Sequence, residues 1–301
     1  MSSLQAKYQA SSRREEHPVA DKVSRAFSVV SVWTCVIFTI IIIGVLALVT
    51  GYLLSIGFSS LSWDFFTKVA IPQGMAGYPG GMKHALLGTV ELIVLASILG
   101  IPLGMLTGVY LSEYSANSFL ATPTRFICDV LTGVPSIVVG ILGYELVVRP
   151  IGNFNGLAGA MALAYIMVPI IARTTEEMLR LVPNSYREAS VALGATKART
   201  ILKVVLPAAT GSVITGVMLA VARVAGETAP LLFTTLGSAY IRFNPLEPFP
   251  SLTQQIFDYS KSPDPAQQRL AWGGVIVLIV LIFALNLGVR FFARSVQTRA
   301  S

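Results

Sequence analysis

Six runs of apolar residues dominate this chain: residues 27–54, 85–111, 126–148, 156–175, 209–233 and 273–293. Each is about 20 residues or longer, the length a helix needs to cross the hydrocarbon core of a bilayer. Lipid offers the backbone no hydrogen-bond partner, so segments of this kind close their hydrogen bonds within a helix. The pattern predicts an all-α integral membrane fold of six transmembrane helices, flanked by a basic segment 1–26 and a tail 294–301. The first run is too long for a signal-peptide core and has no obvious cleavage site, so it reads as a retained anchor.

Within the runs, glycine and proline mark special positions. Gly100, Gly104 and Gly108 recur every fourth residue, a stripe that lets a second helix come close. Pro102 is a candidate kink in the same run. The third run is interrupted by Gly133, Pro135, Gly140 and Gly143. Between runs, Trp63, Phe65 and Phe66 are expected as aromatic anchors at the interface. Gly74, Gly77, Pro79, Gly80 and Gly81 predict a flexible loop. Residues 234–272, with Pro245, Pro248, Pro250, Pro263 and Pro265, predict a long polar loop.

The polar stretch between the fourth and fifth runs has a pattern of its own. In YREASVALGATKARTILKVVLP, residues 186–207, Ser185 and Glu188 have capping-box spacing for a helix starting near Tyr186. Tyr186, Ala189 and Leu193 form one apolar face, expected to turn inward, with Arg187, Lys197, Arg199 and Lys203 outward. Gly194 sits at a C-cap position, Thr196 is placed to cap a second helix, and Pro207 is expected to end or kink it. Such a helix–glycine–helix elbow, within a loop over 176–208, suits a protein partner; the same pattern also fits a connector lying on anionic lipid.

Composition agrees. Of the 301 residues 54% are hydrophobic and 12% charged, about half the charged share of a soluble domain. No second folded domain is indicated, and there is neither a strong internal repeat nor a low-complexity tract. Net charge is +7. In a membrane protein that excess reports orientation rather than a nucleic-acid partner. Lys7, Arg13, Arg14, Lys22, Arg25, Arg125, the basic residues from Arg173 to Lys203, and Arg290, Arg294 and Arg299 fall on one side. The other side has Lys68, Lys83, Arg149, Arg242, Lys261 and Arg269. The bias places both termini and the elbow in the cytoplasm.

Charges inside the runs are the candidate chemistry, because an ionised side chain at mid-bilayer costs about 2.5–3.5 kcal/mol on insertion scales. Arg223 and Glu227 are four apart and can pair, either as a structural ion pair or as part of an anion path. The planar guanidinium fork suits an oxyanion. Arg173 is a second candidate for the path, with an interfacial snorkelling role as its alternative. Glu91 either pairs with a partner helix or lines the path. Glu145 and Arg149 read as a structural pair near the outer interface. Cys35 and Cys128 lie in apolar runs and read as small core residues rather than a disulfide; His17 and His84 are isolated. No metal site or cofactor is expected. There is no P-loop, no H-E-x-x-H and no G-x-S-x-G, so enzymatic activity has little support.

The elbow is similar to the cytoplasmic loop of ABC importer permeases, whose pattern is E-A-A, three residues, G, nine residues, I-x-L-P. Glu188, Ala189 and Ser190 stand for E-A-A, Gly194 for the glycine, and Val204 to Pro207 for I-x-L-P. GVPSIVVG (133–140), VPIIARTTEEMLRLVP (168–183), ARVAGETAPLLFT (222–234) and LSWDFFTK (61–68) resemble the phosphate ABC importer permeases of the PstA type. The resemblance covers nearly the whole chain from about residue 27. It implies the six-helix type I importer (MetI-like) fold, a place in the bacterial inner membrane and a homologous PstC-type permease as partner. It further implies two copies of a PstB-type ATP-binding subunit that carry the hydrolysis, and an external PstS-type phosphate-binding protein. By the same resemblance Arg173, Arg223 and Glu227 belong to the phosphate path, while Tyr186, Glu188, Ala189, Leu193 and Gly194 take the push of the ATPase. Sulfate or molybdate as substrate, a proton-coupled carrier using Glu227 or Glu91, and a non-transporting sensor subunit are the rival readings.

Overall fold

A computed structural model describes residues 18–70, 80–115 and 118–300, with side chains described from Phe27 to Gly288 within them. The chain divides into two compact units, 1–55 and 56–301. The described part of the first is a single helix, α1 (Pro18–Ser59), whose last turn belongs to the second. Its apolar portion, Phe27–Ser59, is long enough to cross a bilayer. Cys35 is exposed rather than packed in a core, while Cys128 in the second unit is buried.

The second unit is helical; among the described residues no strand forms, only an isolated bridge between Leu236 and Phe249. In order it contains α2 (Trp63–Thr67), α3 (Lys83–Val109), a π-helical turn π1 (Tyr110–Tyr114), α4 (Ala121–Gly133) and α5 (Ser136–Gly143). There follow a second π turn π2 (Tyr144–Val148), α6 (Arg149–Ile151), α7 (Gly156–Arg180), α8 (Asn184–Ala192), α9 (Lys197–Thr200) and π3 (Ile201–Val205). The unit ends with α10 (Leu206–Ala225), α11 (Ala229–Thr234), α12 (Leu252–Ser260) and α13 (Pro265–Ala300). With α1, five helices are long and apolar enough to span a membrane, and a sixth candidate is the bent pair α4 and Ser136–Ile151.

The centre is α7, started by Asn155, whose buried side-chain oxygen accepts the amide of Ala158 at 2.8 Å. Its Gly- and Ala-rich face packs along α3, where the predicted stripe does its job. A Cβ at Gly104 would lie 2.7 Å from Ile171 Cβ, and one at Gly108 2.5 Å from Thr175 Cβ. Only glycine admits a helix this close, and backbone-to-backbone packing is how helices associate where lipid removes the hydrophobic driving force. Leu92, Ala96, Leu163, Met167, Ile171, Ala220 and Val224 form the core around this contact. α3 runs through Pro102 as one helix.

Several expected boundaries shift. Phe65 is no interface anchor: it is fully buried against Met82, Leu252 and Leu270, whereas Trp63 and Phe66 are exposed. The stretch 234–272 is not all loop. Ser251 caps α12, its hydroxyl accepting the Gln254 amide, and Pro265 opens α13 eight residues ahead of the apolar run, where a first-turn proline costs no hydrogen bond. The fifth apolar run contains a break, because α10 ends at Ala225 before Gly226 and α11 begins after it. Gly74, Gly77 and Pro79 of the expected flexible loop, and residues 1–17, lie outside the described residues.

Candidate functional site

Where α4 meets α5 the chain turns by 105°. Pro135 causes the break: it holds Val134 in extended backbone (φ −68°, ψ 130°) and cannot donate to α4. Ser136 therefore starts a new helix whose first amides have no side-chain cap. Leu131, Thr132, Val134 and Ser136 from this hinge, Ile166 and Ile170 from α7, and Leu219 and Arg223 from α10 line a cavity of about 340 Å³. Its walls are apolar apart from a guanidinium, two hydroxyls and the opening of a helix. A cation and a helix N-terminus in such a setting favour a bound anion. Arg223 is half exposed, so part of its fork is available.

Glu227 lies beyond the end of α10, its amide bonded to the Val224 carbonyl, and places Oε1 3.7 Å from Arg223 Nη2. The pairing expected from the four-residue spacing is present, but at ion-pair rather than hydrogen-bond distance. Thr253 of α12 donates to the backbone carbonyl of Glu227 at 3.0 Å and holds this segment. Glu91 is half buried on α3 beside exposed Leu87, Val90 and Val94, and is not among the residues lining the cavity.

Arg173 faces carboxylates instead of this cavity. Its Nε is 3.1 Å from Asp129 Oδ1 and its Nη1 3.4 Å from Glu176 Oε2. Glu176, 1% exposed, also takes Arg125 Nε and Arg180 Nη2, each at 2.6 Å. Arg125 donates further to the Leu111 carbonyl and the Ser115 hydroxyl. One buried carboxylate thus joins α4 to α7, and Arg125 extends the link to π1. The spacing of Arg173, Glu176 and Arg180 was readable as one helix face; Arg125 and Asp129, far away in sequence, were not. The Glu145–Arg149 pair forms at 2.6 Å on the surface, as expected.

The elbow differs from expectation in three ways. First, α8 starts at Asn184 behind Pro183, so Ser185 lies inside the first turn, and the Ser185–Glu188 capping box does not form. Second, its apolar face points outward: Tyr186 is 56% and Leu193 90% exposed, Glu188, Ala189 and Gly194 are exposed too, and no residue of α8 is buried. Arg187 is the residue turned inward. Third, Pro207 leaves the helix continuous from Lys197 to Ala225. The π turn just before it widens the helix and supplies the register in which a missing N–H and a ring cause no clash. The glycine reading holds. Gly194 takes φ +81°, with its amide on Val191 O and the Ala195 amide on Ser190 O, a Schellman closure. Thr196 caps α9, and the Ser190 and Thr200 hydroxyls meet at 2.9 Å to fix the bend. An exposed apolar patch on a rigid loop beside basic residues is the signature of a docking surface.

Among the described residues no group of His, Cys, Asp and Glu could hold a metal ion. Residues 100–301 match the family described as binding-protein-dependent transport system inner membrane component. The phosphate transport system permease protein PstA of Yersinia pestis is 45% identical over 231 residues, 77% of this chain and 78% of that protein. The protein of that name from Mycobacterium leprae is 38% identical over 287 residues, 90% and 92% of the two chains. A structure of the MetNI methionine ABC transporter in an inward-facing conformation superposes with a TM-score of 0.57 at 21% identity, covering 71% of this chain and 93% of that one. The fold is that of type I ABC importer permeases, and with relatives this similar over most of its length the chain belongs to the PstA family of phosphate transport system permease proteins.

Proposed function

We propose that this chain is one half of the pore of an ATP-driven importer of inorganic phosphate, paired with a homologous PstC-type permease. The observation that carries the reading is the cavity at the α4–α5 hinge, lined by Arg223, Thr132 and Ser136 beside the start of α5, which has no side-chain cap. Phosphate needs donors and positive charge together, and a guanidinium beside a helix opening supplies both without protonation chemistry. Arg173 faces Asp129 and Glu176 rather than this cavity, so the positive charge at the site rests on Arg223. The names of the relatives point to the same substrate.

Hydrolysis belongs to a PstB-type ATP-binding dimer, and delivery to an external PstS-type phosphate-binding protein. The ATPase grips the outward face of the elbow, Tyr186, Ala189, Leu193 and the Gly194 turn, with Glu188 available to a basic residue of the ATPase. Closure of the dimer shifts α8 and moves the bundle between inward-open and outward-open arrangements. Both termini and the elbow face the cytoplasm.

Uptake of labelled phosphate by cells carrying Arg223→Gln tests this. Uptake is lost while the protein remains in the membrane at wild-type level, and in wild-type cells excess sulfate does not compete. Normal uptake by Arg223→Gln would make the residue structural; competition by sulfate would assign the pore to another oxyanion.

A further inference from the structure

Glu113 stands on π1, at the end of the second membrane helix, and Arg187 stands in the first turn of α8, 74 residues later. The two form a bidentate pair: Nε to Oε2 at 3.1 Å and Nη2 to Oε1 at 2.7 Å. The same guanidinium donates to the Leu179 carbonyl at 2.8 Å, the Val182 carbonyl at 2.7 Å and Asn184 Oδ1 at 3.3 Å. Leu179 lies in the last turn of α7 and Val182 just beyond its cap, so one side chain joins the elbow to two membrane helices. The Glu113 side chain is 6% exposed, and Ser112 donates to it at 3.2 Å.

A second grip lies next to the first: Lys197 of α9 sits 4.5 Å over the ring of Tyr114, also on π1. From the other side Arg125 of α4 holds π1 through the Leu111 carbonyl and the Ser115 hydroxyl. α4 then leads to the hinge that lines the Arg223 cavity. A bidentate, largely buried ion pair is stiff, because separating it strands a charge out of water. A π turn has looser hydrogen bonding than an α-helix and recurs where function needs adjustment. The elbow is therefore tied rigidly to an adjustable turn, and that turn to the hinge.

We propose that the Glu113–Arg187 pair is the positioning link that passes displacement of the elbow to the second membrane helix and, through Arg125, to the broken third one. The inference rests on the reading of the chain as an ATPase-driven phosphate pore. It separates gripping, done by the outward face of α8, from transmission, done by its inward arginine.

The test uses the complete transporter in proteoliposomes with its ATPase and binding protein. Phosphate import and ATP hydrolysis are measured together, in an Ala192→Cys background, an exposed position of α8 outside the gripping residues, that reports docking by cross-linking to the ATPase. In Glu113→Gln, phosphate imported per ATP falls by about tenfold, the scale of an ordinary coupling free energy. Hydrolysis and the cross-link stay near the parent's level. A ratio equal to the parent's overturns the inference. So does a parallel fall of import and hydrolysis, or loss of the cross-link, since the pair would then only hold the elbow's shape. Where Glu113→Gln does not assemble, Glu113→Asp keeps the charge with a shorter reach; a lowered ratio supports the link and an unchanged one removes it. A wild-type complex that hydrolyses ATP without importing phosphate overturns the underlying reading, and the parent control shows this separately.

Discussion

Arg223 and Glu227 approach to 3.7 Å across the end of a helix, not along its side. Their backbones belong to different local structures, with α10 closing at Gly226 between them. The carboxylate can therefore move with the Thr253-held segment without unwinding the helix that carries the arginine. A pore needs an anion site that both captures and lets go, and a nearby carboxylate is suited to weaken an arginine's hold on phosphate. Glu227→Gln removes that competition. Phosphate should then be held more tightly, by up to about fivefold for a partly exposed pair, with slower turnover. Phosphate retained by the purified complex and the maximal uptake rate measure the two effects. Unchanged retention together with unchanged transport removes this role.

Among the described residues Glu176 is the one carboxylate that Arg125, Arg173 and Arg180 share, and it is buried. Glu176→Gln keeps the shape and leaves those guanidinium groups with less counter-charge. Breaking a buried ionic contact from one side costs about 3 kcal/mol. The purified variant should melt well below the wild type in detergent, and Glu176→Asp should fall between them. A melting temperature equal to the wild type would mean that Asp129 alone neutralises the cluster.

How much of this was readable beforehand depends on the range of the interaction. The glycine stripe at 100, 104 and 108 announced a close helix contact on α3, because close packing requires small residues at a fixed spacing, but not that α7 makes it. Gly194 and Thr196 likewise announced the bend, since a positive φ and a free first-turn amide are local needs. The outward turn of Tyr186 and Leu193 was not readable. An apolar helix face says only that something covers it, and here none of the described residues does. The Glu113–Arg187 pair and the Arg125–Glu176 pair were equally hidden, being joined only by the fold. Pro207 misled because its steric rule assumes an α-helix, and π3 changes the register in front of it. The 105° break was announced by Gly133 and Pro135, but its pairing with Arg223 across one cavity is made by the fold, between residues far apart in the chain.

Asp258 of α12 sits in the wall of a cavity of about 640 Å³, with Gln255 and Lys261 beside it. Partial desolvation of this otherwise exposed residue raises its carboxyl above the usual carboxylate range, opposed by the Lys261 ammonium. A raised acid binds its proton more tightly folded than unfolded, so between the ordinary value, about 4, and the raised one stability falls as pH rises. Above that window the loss is complete and constant. Asp258→Asn takes this contribution away. The difference in melting temperature, variant minus wild type, should grow as pH rises through the window and then level off. A difference independent of pH would place the carboxylate in an environment no less hydrated than the unfolded chain.

Gly194 closes the elbow in backbone that other residues rarely adopt, at φ +81°, while open space surrounds the position where a Cβ would stand. The cost of a side chain is therefore conformational rather than steric, about 1–2 kcal/mol for a left-handed residue. Gly194→Leu should insert normally, because α8 contributes no buried residue to the core. The Schellman closure weakens, Leu193 loses its fixed direction, and the surface offered to the ATPase becomes an ensemble. Recovery of the ATPase in a pull-down with the variant should drop by about tenfold, the equivalent of about 1.4 kcal/mol. Gly194→Asn, which tolerates the same backbone, should keep most of it. Wild-type recovery with Gly194→Leu would show that the ATPase does not require the bend in this form, and equal loss in both variants would show that it needs the bare backbone of glycine itself.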